Sequence, residues 1–67
     1  MSKLKTIRES KGLSQSQLDK ASGINKRIIQ SYEQGLRDIN KAQAITLYNI
    51  ANALECKIED LLELESD

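Results

Sequence analysis

SQSQLDKASGINKRIIQSYEQG, residues 14–35, contains two short helices and the turn between them. Ser14-Gln15-Ser16-Gln17 has the form of a capping box: the Ser14 hydroxyl accepts from the third helical amide while the Gln17 side chain reaches back, so a helix is predicted from Gln15 to about Ser22. Gly23 supplies the left-handed residue that ends such a helix, and Asn25 is a good N-cap for a second one, predicted over 26–34. Helices this short are marginal alone in water. Leu18, Ile24, Ile29 and Tyr32 must therefore pack together and against the rest of the chain.

Glycine occurs only at positions 12, 23 and 35, each just after a stretch with helical spacing. Upstream, a first helix is predicted from about Ser2 to Ser10, with Leu4 and Ile7 on one face and a stop at Gly12. Downstream, Asn40 precedes Lys41-Ala42-Gln43 and reads as a cap with Gln at the third helical position. Ala44, Leu47, Ile50, Ala51 and Leu54 then form one apolar stripe. A last short helix is predicted at about Ile58 to Glu63, carrying Ile58, Leu61 and Leu62, and residues 64–67 are expected to fray. The expectation is an all-α chain, a compact five-helix bundle forming a single domain over 1–67, with its central two-helix unit at 15–34.

Composition narrows the function classes. A 67-residue chain buries only about 60% of its unfolded surface, and small domains lean on disulfides, a metal or very regular packing. One cysteine, no histidine and no proline leave regular helix packing. Cys56 has no histidine to act as its base, so it reads as core rather than nucleophile. No nucleophile with a base, metal cluster or phosphate loop is evident, which argues against an enzyme, and no cofactor or small-molecule ligand is indicated. No apolar run approaches a membrane span or a secretory signal, so a cytoplasmic location is expected.

Net charge is zero, but residues 1–41 hold nine Lys and Arg against four Asp and Glu, while residues 42–67 hold one against six. The basic part is where the second helix of the central unit lies. With Ile29 pointing inward and 100° per residue, Arg27, Gln30, Ser31 and Gln34 cluster on the far side with Lys26 at their margin. Every one can donate a hydrogen bond. Arg and Lys suit guanine, Gln suits adenine, and Ser suits a base or a phosphate. An ordinary solvated face would mix in acids, whereas Glu33 is the only acid of this helix and points closer to the core. Ile28 falls on the flank shared with Tyr32, where partial burial is expected over contact with a thymine methyl. Two short helices crossing at a Gly-centred turn form the helix-turn-helix arrangement used to read DNA.

Gly12-Leu13-Ser14-Gln15, Leu18, Ala21-Ser22-Gly23-Ile24, Ile29 and Tyr32-Glu33-Gln34-Gly35 resemble the Cro and lambda-repressor-like helix-turn-helix family of bacterial and phage regulators (XRE-type). The resemblance continues through Ile50-Ala51-Asn52-Ala53-Leu54 and Ile58-Glu59-Asp60-Leu61-Leu62. It implies a lambda-repressor-like DNA-binding fold and a transcriptional regulator, a repressor, acting in the cytoplasm at the nucleoid of a bacterium or from a phage genome. By resemblance, Gln15 touches the DNA backbone and buttresses the first residues of the reading helix. Asn25, Lys26, Arg27, Gln30 and Ser31 take base-reading positions, and Arg37 and Lys41 meet phosphate or the minor-groove edge. Arg8 and Glu33 match a structural ion pair. The family favours a small residue in mid helix 2, where this chain has Asp19. That acid is larger than Ala and partly desolvated there, and is expected to tilt outward towards Lys20, Lys26 or Arg27, so Asp19→Ala is expected to stabilise the domain by about 1 kcal/mol.

The partner expected is double-stranded DNA, bound by a homodimer on a near-palindromic operator, because one small module makes a limited interface. The resemblance puts the dimer contact near the last helix. Leu61 and Leu62 are expected to close the core and Leu64 to be the interface residue. The rival expectation is a protein-interaction module, an antitoxin or adaptor using the same fold.

Overall fold

Each of the first three helices starts on a side chain that takes one of its first amides. In the computed structural model, which describes residues 2–64, Ser2 accepts from the Lys5 amide at 3.1 Å and opens α1, Lys3–Ser10. Ser14 and Gln17 form the reciprocal capping box, at 3.0 and 2.8 Å, that opens α2, Gln15–Ser22. Asn25 accepts from the Arg27 amide at 2.7 Å and opens α3, Lys26–Glu33. Gly23, at φ +76°, makes the left-handed turn that lets α3 cross α2, a conformation available at little cost only to glycine.

Two of the predicted elements differ. Among the described residues there are four α-helices, not five: residues Ile58–Leu61 form a 3-10 turn, held by the Asp60 amide on the Lys57 carbonyl at 3.0 Å and the Leu62 amide on the Glu59 carbonyl at 3.3 Å. A turn of four residues gains too few hydrogen bonds to continue as an α-helix. Its job is to drop Leu61 into the core, after which Leu62 is extended.

The second difference lies before α4, Ala44–Leu54. Asn40 does not cap this helix. Ile39–Lys41 is a separate 3-10 turn capped by Asp38, whose Oδ1 accepts from the Asn40 amide at 3.0 Å. Ala42 and Gln43 are extended, so α4 starts at Ala44, which is exposed instead of joining the apolar stripe. The physical reason is that the Asn40 side chain is used elsewhere. Its Nδ2 donates to the Glu63 carbonyl at 2.9 Å and its Oδ1 accepts from the Glu63 amide at 2.8 Å. Smaller shifts occur at the ends of α1, where Ser2 is the cap, and of α3, where Gln34 is the cap.

Leu4, Leu18, Ile29, Ile39, Leu47, Ile50, Ala51, Leu54 and Leu61 make the core, one or more from every element. α2 packs on α4 and α3, while α1 lies against α3 and the second 3-10 turn. Burying this apolar surface holds helices too short to persist alone. Half-buried Cys56 lies against the same core, and burial pushes its thiol up from the ordinary value. Leu64 is exposed and non-helical, and residues 65–67 of the tail expected to fray lie outside the described residues. Among the described residues no helix is long and apolar enough to cross a membrane.

Candidate nucleic-acid interface

Ile29 is fully buried and Ile28 and Tyr32 are half-buried, so α3 has one orientation on the body of the molecule. Its opposite side carries Lys26, Arg27, Gln30 and Gln34, all exposed, with Asn25 exposed at the cap. Ser31 is half-buried, and its hydroxyl donates to the Ile28 carbonyl at 2.7 Å. Its oxygen keeps lone pairs for a further donor.

Glu33, the one acid of α3, is withdrawn from that side. Arg8 Nε and Nη2 donate to its two carboxylate oxygens at 2.7 and 2.9 Å, and only 3% of the Glu33 side chain is exposed. Gln15 Nε2 adds a third donor to Oε1 at 3.0 Å, while Arg8 Nη1 reaches the Leu13 carbonyl at 2.7 Å. One carboxylate thus joins α1, the approach to α2 and the end of α3. Burial pushes the Glu33 carboxyl up, but the hydrogen bonds from Arg8 and Gln15 and the Arg8 charge outweigh it and hold it below its ordinary value. The same pairing raises Arg8. Gln15 is half-buried and buttresses the end of α3, not its first residues, because α2 runs towards the turn at Gly23 and its start therefore lies beside the far end of α3.

Asp19 also departs from expectation. It is half-buried, and its Oδ2 accepts from the Lys26 amide at 2.8 Å. It therefore points at the start of α3 and takes a backbone donor, not a lysine or arginine side chain. The expectation for Asp19→Ala therefore changes sign: losing this bond is expected to cost about 1 kcal/mol, read as a lower melting temperature.

Arg37 and Lys41 are exposed and line, with Asn25, Ile28 and Thr46, an open groove of about 440 Å³ beside the start of α3. The loop that carries Arg37 is fastened to α3 through the Leu36 and Arg37 amides, both on the Ser31 carbonyl at 2.9 and 3.2 Å. Leu36, between them, is 76% exposed, and Ile45 and Tyr48 on the outer side of α4 are 60% and 55% exposed. Sequence reasoning passed over these three. For Ile45 and Tyr48 the signal was present, since they fall off the stripe that contains Leu47 and Ile50. A second open cavity, about 690 Å³, is lined by Lys3, Ile7, Cys56, Glu59, Asp60 and Glu63 among others and includes no residue of α3. Its mixed signs of charge do not suit a phosphate. Among the described residues no group of three or more His, Cys, Asp or Glu is placed to hold a metal ion.

A family model described as helix-turn-helix matches residues 4–61, well over half of the chain. No curated protein and no solved structure matches it significantly.

Proposed function

Because the chain belongs to the Cro/C1-type helix-turn-helix (XRE) family of DNA-binding regulators, we propose that it binds double-stranded DNA sequence-specifically, with α3 in the major groove, as a transcriptional repressor. The observation that carries this reading is the side of α3 facing away from the core: Lys26, Arg27, Gln30 and Gln34 stand exposed while Glu33 is buried against Arg8. A donor-rich helix face without an acid matches the acceptors that bases present in the major groove. Asn25 and Ser31 flank it as further base-reading groups.

Arg37 and Lys41 hold the phosphates on the side of the groove next to α3, and Gln15 meets the backbone at the other end. Gln15 has one amide hydrogen committed to Glu33 and a second amide hydrogen to offer. Useful affinity comes from two copies on half-sites about one helical turn apart, hence a homodimer on a near-palindromic operator. Leu64, exposed beyond the buried Leu61, is the apolar residue offered to a second copy. The protein works in the cytoplasm.

The test is a titration of the labelled chain with duplexes selected from a random pool, followed by amide spectra. Shifts concentrated in residues 25–34, 37 and 41 are expected. Unmoved amides across that segment, with every duplex in a diverse pool, would sink the reading.

A second reading, a protein-interaction module such as an antitoxin or adaptor, draws on the exposed Ile45 and Tyr48 of α4. Retention on heparin or random duplex at low salt separates the two, because a pure protein binder lacks it.

A further inference from the structure

The first four amides of α3 all have acceptors inside the chain. Lys26 N–H donates to Asp19 Oδ2 at 2.8 Å and Arg27 N–H to Asn25 Oδ1 at 2.7 Å. Ile28 and Ile29 N–H both donate to the Asn25 carbonyl, at 2.9 and 3.1 Å. The positive end of a helix attracts an anion, and here the anion is a carboxylate from α2. α4 opens differently, on Gln43 with no side-chain cap.

From this difference we infer that Asp19 is a positioning and specificity-determining residue for DNA. Its carboxylate fastens the first turn of α3 to α2 and fills that helix end with fixed negative charge. Backbone phosphate is kept off the first amides of α3 and left to Arg37 and Lys41 across the neighbouring groove, so α3 itself meets the duplex through its side chains. The inference rests on α3 facing DNA as proposed above. Phosphate contacts carry no sequence information and strengthen binding to any duplex, whereas base contacts from Arg27 and Gln30 discriminate. An acid beside Lys26 and Arg27 therefore lowers sequence-independent affinity, while the contacts that tell one base pair from another are retained. The ratio of specific to non-specific binding rises, as it does wherever a repulsive element is built against the wrong partner.

Two variants separate the charge from the clamp. Asp19→Asn keeps a side-chain carbonyl for the Lys26 amide and removes the charge; Asp19→Ala removes both. The full chain and each variant are titrated by fluorescence anisotropy with a duplex selected from a random pool and with a scrambled duplex, across a range of salt, beside thermal melts. Both variants are expected to bind the scrambled duplex about three- to tenfold more tightly than the unaltered chain and to show a smaller preference for the selected one. The slope of log affinity against log salt becomes more negative by about 0.9, the contribution of one added phosphate. Asp19→Asn melts close to the unaltered chain and Asp19→Ala melts lower. Affinity and slope on scrambled duplex that stay unchanged in Asp19→Asn would overturn the proposal, because a purely structural clamp predicts that result. Weaker binding of Asp19→Asn to both duplexes would also overturn it. An unaltered chain that binds neither duplex overturns the DNA-binding reading, and this inference with it.

Discussion

Glu33 ties separate parts of the structure together, since three side-chain hydrogen bonds from two other parts of the chain end on its two oxygens. Removing one partner leaves a charge stranded in a poorly solvated site. Arg8→Ala or Glu33→Ala is therefore expected to cost about 3 kcal/mol, read as a lower midpoint of urea denaturation. The carboxyl is held below its ordinary value, so the folded chain takes up this proton at lower pH than the unfolded chain does. Its contribution is fully present above the ordinary carboxylate range, around pH 4, and is lost as pH falls through the folded value. Acid melts of Glu33→Gln, a weaker acceptor that cannot ionise, should show a shallower loss of stability below about pH 5 than melts of the unaltered chain. Glu55 is the other residue with an unusual burden: it ends α4 at φ +55°, where a side chain is strained. Glu55→Gly should raise stability by about 0.5–1 kcal/mol, measured as a higher melting temperature.

Among the elements, the segment between α3 and α4 owes its course to a distant residue. Asn40 pairs with both main-chain groups of Glu63, and the Glu63 carboxylate accepts from the Lys3 amide at 2.6 Å. The end of the described chain thus ties the start of α1 to the turn between Arg37 and α4. Asn40→Ala should cost about 1–2 kcal/mol and, more tellingly, speed hydrogen exchange at the Glu63 amide. If exchange there is unchanged, the clasp does not hold this segment. Because Arg37 and Lys41 flank Asn40, the same variant should loosen the groove beside α3 without touching a residue that faces DNA.

For the whole molecule, the balance of charge sets how binding responds to salt. With three to five phosphate contacts per protomer, log affinity should fall against log salt with a slope of about −3 to −5. A flat response would count heavily against DNA as the partner. Arg27→Ala should relax preference at one base pair of a selected site, whereas Arg37→Ala should weaken all sites alike, and binding-site selection with each variant reads the difference. Both positions are exposed, so neither change should lower the melting temperature appreciably.

The helices of residues 3–33 were legible because their signals are local. Ser14 with Gln17, Asn25 and the glycines each act within one turn of backbone, and a spacing of three and four residues places Leu18 and Ile29 inward whatever else the chain does. The exposed side of α3 follows from the same geometry. The end of α4 was marked by no glycine, because Glu55 takes the left-handed position. The segment 39–43 and the 3-10 turn at Ile58–Leu61 were misread because their conformations answer to partners far along the chain, Glu63 for Asn40 and the packed core for Leu61. Asp19 was misread for the same reason: by the family resemblance it is an acid where a small residue is favoured, and only the crossing of α2 and α3 brings the Lys26 amide within 2.8 Å of it. Caps and periodicity are properties of neighbouring residues, whereas the acceptor a buried polar group finds is a property of the packed chain.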